Sequence, residues 1–289
     1  MRTLSILTTI LISAAAMVLF TAPSTAQQRG DAASRPNVSG SSSVATGAAQ
    51  KAAPFTRTTD GKPNMQGYWD SPQAGWAAWD IEKHPDGFQI LGGPGAVVDP
   101  PDGKIPYQPW GLEKRQYFID HPKEDPQAHC FLSGVPRQWY TPFGLQILQP
   151  PGAPYILVLH ESHHAYRVIK LDGKPHLPPS IKLFEGDSVA KWEGDTLVID
   201  VKNLNGKTWF DMAGNFTTEN LHVVERLTMA NINTINYEAT IEDSTLYTRP
   251  WKIAFTITRI TKPNYELMEF ACYEGERDLE HYVEGATLK

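Results

Sequence analysis

The residues best suited to chemistry form the run His-Glu-Ser-His-His at 160–164, which is followed shortly by Arg167. As letters the run matches His-Glu-x-x-His, in which two histidines hold zinc and the glutamate acts as a base. That chemistry requires a helix, because residues four apart lie on one face only there. A zinc-dependent hydrolase acting through this motif is therefore one alternative for the chain.

The residues on either side of this run predict a strand instead. Tyr155–Leu159 and Tyr166–Leu171 are rich in apolar and β-favouring side chains, and an Asp-Gly turn follows them. On a strand, His160 and His164 would be about 13 Å apart at about 3.4 Å per residue, too far to share one ion. We therefore predict one strand over 155–170 without a bound metal. Zinc held together with ligands from other strands remains a further alternative.

On such a strand, Glu161, His163 and Arg167 share one face. A carboxylate, an imidazole and a guanidinium there can serve as a base, an acid and an anion clamp, which suits proton transfer without a cofactor. The plainer alternative is a surface on which Glu161 and Arg167 form cross-strand ion pairs and the histidines are solvated.

A second group of ionisable side chains lies in Leu221–Leu227, where apolar and polar residues alternate. His222 and Arg226 share one face, and Glu225 lies on the opposite face between two apolar neighbours. A carboxylate on a core face is costly unless it is paired, so we expect Glu225 to have a partner such as Arg167 or a ligand. The pair is a candidate site if it lines a cavity and a structural brace if it is packed dry.

The elements that position these side chains are predicted to be strands. Alternation bounded by turn residues predicts strands near 66–70, 143–149, 155–170, 181–185, 188–193, 196–201, 221–230, 234–242, 251–261 and 265–273. Short connections such as 192–196, 230–233 and 261–264 indicate hairpins. The fold class is therefore all-β: an antiparallel meander that forms a closed or nearly closed barrel, because closure removes exposed edges. A β-sandwich is the alternative.

The first half of the chain has a different character. Residues 68–140 are rich in Pro, Gly and Trp, which predicts ordered loops over one end of the sheet, with a short helix at about 110–119. Its tryptophans, among them Trp69, Trp79 and Trp139, either line the mouth of a pocket or pack the loops.

The N-terminus is typical of an exported protein. Residues 1–26 combine Arg2, an apolar run from Leu4 to Phe20 and a small-residue site ending at Ala26, so we predict a signal peptide cut there and a periplasmic or secreted protein. Residues 27–54 have the composition of a flexible linker, which leaves a single domain over 55–289. We expect Cys130 and Cys272 to form a disulfide in that compartment, and two buried free thiols are the alternative.

Composition restricts the partners. The formal net charge is −6, and no cluster of Lys and Arg is present. These properties argue against a nucleic-acid partner and against an anionic membrane surface, so we expect a small-molecule ligand or substrate. The oligomeric state is not readable from the sequence.

Several motifs of the chain resemble those of a group of other proteins. They are Asp60–Trp69, Cys130–Arg137, Glu161–Arg167 with Asp172-Gly173, Trp192–Val198, His222–Arg226, Thr240–Asp243 and Pro250-Trp251. In these motifs, which cover most of the chain after the linker, the sequence resembles a large group of uncharacterised secreted proteins of soil and aquatic bacteria, and the resemblance implies no activity. Gly67-Tyr68-Trp69 is also similar to the Gly-x-Trp first strand of lipocalins, which implies a barrel that holds a ligand.

These observations lead to one hypothesis and one rival. The hypothesis is a barrel protein that acts on a small aromatic or sugar-like molecule by cofactor-independent elimination, isomerisation or hydrolysis. Its predicted catalytic residues are Glu161, His163, Arg167, His222, Glu225 and Arg226. The rival is a lipocalin-like carrier that binds such a molecule without changing it.

Overall fold

The computed structural model describes residues 54–72, 74–86, 92–270 and 272. The chain divides into two units, Met1–Ala48 and Ala49–Lys289, and all described residues belong to the second. The predicted signal peptide and nearly all of the predicted linker lie outside the described residues. Among the described residues, no helix has both the length and the apolar character needed to cross a membrane.

The structure confirms the all-β class. Its strands are β1 (Gly67–Asp70), β2 (Val97–Asp99), β3 (Leu145–Leu148), β4 (Tyr155–His160), β5 (Tyr166–Lys170), β6 (Asp187–Glu193), β7 (Thr196–Lys202), β8 (His222–Asn231), β9 (Thr234–Glu242) and β10 (Trp251–Arg259). The α-helix α1 (Pro109–Asp120) lies close to the predicted helix.

Nine of the strands close into a barrel. Neighbouring strands follow the order β1-β3-β4-β5-β6-β7-β8-β9-β10, and β1 also pairs with β10. Trp69 of β1 lies opposite Leu145 of β3 on one side and Arg259 of β10 on the other. The remaining strand, β2, pairs with β10 outside the ring. Closure leaves no free edge along most of the barrel, as the sequence argument required.

The barrel is not a pure antiparallel meander. Strands β5 and β6 are parallel and share only two residue pairs, Ile169 with Ser188 and Lys170 with Val189. A parallel pair requires a crossover connection, and residues 171–186 supply it. This crossover segment, 171–186, is irregular, so the predicted strand over 181–185 is wrong; only Leu183 forms an isolated bridge, with Leu204.

Two further strand predictions are wrong. Residues 155–170 form the hairpin β4–β5 instead of one strand, and a single 3-10 turn at Ser162–His164 makes its tip. At this tip, His163 and His164 have φ angles of 59° and 49°, which reverse the chain. The described residues of 265–273 form no strand, so β10 is the last strand within the described residues and does not form a hairpin across 261–264.

The core lies inside the barrel and beneath the loops that cover one part of it. Ile199, Val201 and Val223 are buried as the alternation predicted. The segment 133–141 is also buried, and its Trp139 and Tyr140 reach into the interior. Trp69 and Trp139 therefore pack the core, which favours the packing interpretation for these two tryptophans.

A disulfide joins Cys130 and Cys272, as the sequence predicted. The bond spans a sequence separation of 142 residues and encloses strands β3 to β10. Cross-links across long loops restrict the unfolded chain most, with typical contributions of about 2–4 kcal/mol to the free energy of unfolding.

Candidate active site

The barrel interior contains a buried carboxylate, Glu225 of β8, whose side chain has no exposed surface. Its Oε1 accepts hydrogen bonds from Trp139 Nε1 at 2.6 Å, Tyr237 OH at 2.8 Å and an Arg167 nitrogen at 3.1 Å. Its Oε2 accepts a second hydrogen bond from Arg167. Glu225 thus has four donors, which is the condition for burying a carboxylate at tolerable cost.

Strand register explains why these side chains meet. Burial alternates along β8, so Val223, Glu225 and Leu227 face inward. Tyr237 does the same on β9, and Arg167 faces inward from β5, across the barrel in the strand order. The prediction that Glu225 faces the core and pairs with Arg167 is confirmed.

Arg167 retains hydrogen-bonding capacity. Its Nε donates to Ser188 Oγ at 2.8 Å, and its two terminal nitrogens each donate once to Glu225. A guanidinium carries five N–H groups, so two N–H groups of Arg167 have no acceptor among the described residues and can donate to a ligand.

A second buried carboxyl group belongs to Glu185, at the end of the crossover segment. Only 8 % of this residue is exposed. Its Oε1 accepts one hydrogen bond, from the backbone N–H of Gly134 at 3.2 Å. Its Oε2 is buried and has no hydrogen-bond partner among the described residues. Burial raises the pKa of Glu185 to about 7, against the opposing effect of the Arg167 charge.

Glu185, Arg167 and Ser188 line a cleft of about 940 Å³. One side is formed by residues 164–168 of the hairpin tip and β5, and the other by residues 182–188 of the crossover segment and the start of β6. We name this the seam cleft; its lining is completed by Leu132, Lys170, Asn205, Lys207 and Glu219.

The seam cleft follows from the short parallel pairing of β5 and β6. Residues Tyr166–Val168 pair with β4 on one side but have no strand partner on the other. Tyr166 and Val168 point to the outer face of β5, and they and Leu183 of the crossover segment are exposed by 68 %, 43 % and 40 %. Clefts with apolar walls and a few convergent polar groups are typical of small-molecule sites.

His160 is the last residue of β4 and is buried. Its ring lies edge-on to the Trp139 ring, and the two ring centres are 5.9 Å apart. Burial, with a smaller contribution from Arg167, lowers the pKa of His160 to about 3. Its Nε2 has no hydrogen-bond partner among the described residues. His160 is therefore a neutral ring at physiological pH.

The structure does not bring the six predicted catalytic residues together. Glu161 and His163 lie at the hairpin tip, where Tyr265 OH approaches Glu161 at 3.4 Å and the His163 ring contacts Phe270. Burial is the main cause of a lowered pKa at His163, and the charge of Arg137 contributes to it. The prediction that Glu161, His163 and Arg167 share one strand face is wrong because the chain turns between them.

His222 and Arg226 lie on the outer face of β8, opposite Glu225. The two ring nitrogens of His222 contact Asp200 and Glu242, and Asp200 also contacts His176 of the crossover segment at 3.1 Å. Arg226 pairs with Glu193 at 3.1 Å. Only Arg167 and Glu225 of the predicted set therefore meet in the interior.

Sequence reasoning missed Glu185 as a candidate, together with the partners Trp139, Tyr237 and Ser188. Alternation along β9 placed Tyr237 on the inner face and could have identified it as a partner of Glu225. No local signal marks Glu185, because Phe184-Glu185-Gly186-Asp187 has the composition of a surface turn.

The geometry of a zinc protease is absent from the His160 region, because His160 ends a strand and His164 accepts a hydrogen bond from the Phe270 N–H at the hairpin tip. Within residues 54–72, 74–86, 92–270 and 272, no three His, Cys, Asp or Glu side chains are arranged to hold a metal ion.

Comparison with known proteins gives no relative to guide the assignment: no protein-family model, no curated protein and no solved structure matches the chain. The site must therefore be interpreted from its own geometry.

Proposed function

We propose that the protein binds a small organic molecule in the seam cleft and transfers a proton to or from it through Glu185. The observation that carries the proposal is the Glu185 carboxyl group, which lines the cleft, is buried and has one oxygen without a partner among the described residues. Such a carboxyl group has unused hydrogen-bonding capacity that a ligand can satisfy.

Acid-base chemistry is favoured because burial raises the pKa of Glu185 to about 7. A group whose pKa lies near the working pH is present in both its acid and its base form, which makes it effective in both directions of proton transfer. Perturbed carboxyl groups in clefts are candidates for this role.

Arg167 supplies the second requirement, stabilisation of negative charge. Its two remaining N–H groups lie on a side chain that lines the same cleft and is held by Glu225 and Ser188. Donors fixed before the reaction stabilise a developing anion without further reorganisation. In this proposal Glu225 is a positioning residue, and no cofactor is required.

The proposed reaction is proton abstraction next to a carbonyl group, followed by reprotonation, or by elimination in which the enolate electrons form a carbon-carbon double bond and expel an anionic leaving group from the β-carbon. Glu185 takes the proton from carbon, the electron pair moves onto the carbonyl oxygen, and Arg167 stabilises the resulting enolate. In an isomerisation, Glu185 returns the proton to a different carbon, so that no other reactant is needed.

Hydrogen-deuterium exchange tests the proposal without knowledge of the natural substrate. A panel of aryl ketones and related carbon acids is incubated with the protein in D2O, and loss of the α-proton signal is followed by NMR. We expect accelerated exchange of at least one compound, and at least a hundredfold less acceleration by Glu185→Gln, in line with the usual contribution of a general base.

Glu238→Gln is the matched control, because it makes the same chemical change at a carboxylate on the outer surface that pairs with Lys252. It should exchange the panel at the parent rate. Equal rates for Glu185→Gln and the parent would contradict the assignment of Glu185.

A lipocalin-like carrier is the second candidate, and the exposed apolar rim of the cleft favours it: Tyr166, Val168 and Leu183 offer a surface for binding without chemistry. A carrier gives saturation-transfer NMR signals from bound panel compounds but exchanges none of their protons. Export to the periplasm or medium, which the signal peptide predicted from the sequence and the disulfide support, suits either candidate.

A further inference from the structure

The lining of the seam cleft is more positive than the rest of the protein. The whole chain has a formal net charge of −6. The cleft is nevertheless lined by four cationic side chains and three acidic ones. The cationic residues are Arg167, Lys170, Lys182 and Lys207, and the acidic residues are Glu185, Asp187 and Glu219.

Two of these cations are neutralised by close partners. Arg167 is paired with Glu225, which does not line the cleft, and Lys170 pairs with Asp187 at 2.8 Å. Asp187 also accepts hydrogen bonds from His176 and from the Leu177 N–H, each at 2.9 Å. These two pairs therefore add little net charge to the opening of the cleft, and Arg167 acts on a ligand through its remaining N–H donors.

The two remaining lysines are different. Lys182 donates to the backbone oxygen of Glu219 at 2.8 Å, while the Glu219 carboxylate stays 3.9 Å away and its side chain is 66 % exposed. Lys207 forms no ion pair with any residue that the structure describes. Gly206, next to Lys207, lies against the backbone of Glu219, so both lysines belong to one rim of the cleft.

Apolar surface accompanies this cationic rim. Val168 and Leu183 are exposed on opposite sides of the cleft, and Phe184 stacks on Phe131 with ring centres 5.6 Å apart. A molecule that covers these side chains and also reaches the lysines must have an apolar body and an anionic end.

We propose that the ligand of the seam cleft is an amphipathic organic anion, such as an aromatic carboxylate or sulfonate, whose acidic group is bound by Lys182 and Lys207. This inference rests on the proposed function, because it names the class of molecule on which Glu185 acts. A cationic rim on an acidic protein concentrates such anions locally and repels cations from the same opening.

Two fluorescent probes with one shared skeleton separate the apolar and anionic contributions. 8-Anilinonaphthalene-1-sulfonate carries the negative charge, and N-phenyl-1-naphthylamine lacks only the sulfonate. Binding of each is titrated at low salt to the parent, to K182E/K207E and to K191E/K262E, a control with the same change of net charge. Lys191 and Lys262 are exposed and do not line the cleft.

We expect K182E/K207E to weaken sulfonate binding about five- to tenfold and to leave the neutral probe within about twofold. K191E/K262E should leave the Kd of both probes near the parent value. About 0.5 M salt should remove most of the difference, because the lysines are at the surface.

The outcomes distinguish the two proposals. Equal losses for both probes, or no loss for the sulfonate, would overturn the anion assignment while leaving a ligand-binding cleft. If neither probe binds the parent, or if Val168→Asp does not weaken the neutral probe, the cleft itself is not a binding site and the proposed function fails with it.

Discussion

Glu225 and Glu185 are two buried carboxyl groups near the same guanidinium, and the protein treats them differently. Glu225 accepts four hydrogen bonds, two of them from Arg167, and lies wholly inside the barrel. Glu185 accepts one hydrogen bond and lines the cleft. A buried charge whose hydrogen bonds are all formed stabilises the fold. A buried acid that lines a cleft and has an oxygen without a hydrogen bond is instead a candidate for a reactive group.

The difference arises from the elements that carry the two residues. Glu225 lies in the middle of a ten-residue strand paired on both sides, so its surroundings are fixed by two ladders. Glu185 lies on an irregular crossover where β5 and β6 have separated. The regular strands of the barrel thus hold Glu225 rigidly. The irregular junction between β5 and β6 leaves Glu185 open to a ligand.

Breaking the buried pair of Arg167 and Glu225, which acts as a structural brace, should have the largest effect on stability. Glu225→Ala leaves Arg167 buried without its partner, so we expect the free energy of unfolding to fall by about 3–5 kcal/mol. Urea denaturation followed by tryptophan fluorescence measures the change. The double variant E225L/R167M removes both charges and should recover much of the loss; a double variant as unstable as the single one would contradict the view of the pair as a brace.

Replacing Glu185 should increase the free energy of unfolding instead of decreasing it. Because burial raises the pKa of Glu185 from 4.5 to about 7, the folded state holds a proton between these values that the unfolded state releases. Raising the pH through this window therefore costs the parent stability. Glu185→Gln avoids the cost, and its free energy of unfolding should exceed the parent's by about 3 kcal/mol above pH 7 but match it below about pH 4.5.

The measurement is the difference between the two denaturation curves across pH 4 to 8, which cancels other titrating groups. Asp80 and Asp211, whose pKa values burial raises to about 6 and about 7, are among those that cancel. A difference that does not change with pH would show that Glu185 is not the buried acid described.

Removing one donor from the brace tests how its strength is distributed. Tyr237→Phe deletes the hydroxyl that donates to Glu225 at 2.8 Å and keeps the ring. We expect a loss of about 1.5–3 kcal/mol, the usual range for a hydrogen bond to a charged group. Thermal unfolding measures it, and a Tm equal to that of the parent would mean that the other three donors suffice.

The outer face of β8 should be the least sensitive. His222→Gln changes a partly exposed contact with Asp200 and Glu242, so we expect at most about 1 kcal/mol, decreasing with salt. The exchange activity proposed for Glu185 should be unaffected. A large loss of that activity would return His222 to the catalytic set.

The barrel and its brace could be predicted from the sequence because strand alternation has a period of two. The neighbours Val223 and Leu227 fixed the face of Glu225, and a buried carboxylate on that face required a cationic partner. These inferences needed only local pattern and the cost of burying charge.

The cleft could not be predicted in the same way. Two consecutive left-handed residues at the tip, His163 and His164, divide a stretch whose two flanks both favour a strand. The parallel β5–β6 pairing depends on contacts between distant segments, and so does the burial of Glu185. Local composition holds no trace of either.

The covalent ring closed by Cys130 and Cys272 contains every strand of the barrel except β1, which enters between β3 and β10 from outside it. Strand β1 thus completes the barrel although it lies outside the cross-linked segment, which carries the other eight strands. In a chain shortened to begin after β1, the edges of β3 and β10 should remain unpaired. A synthetic peptide with the sequence of β1 should bind between them and restore the closed barrel.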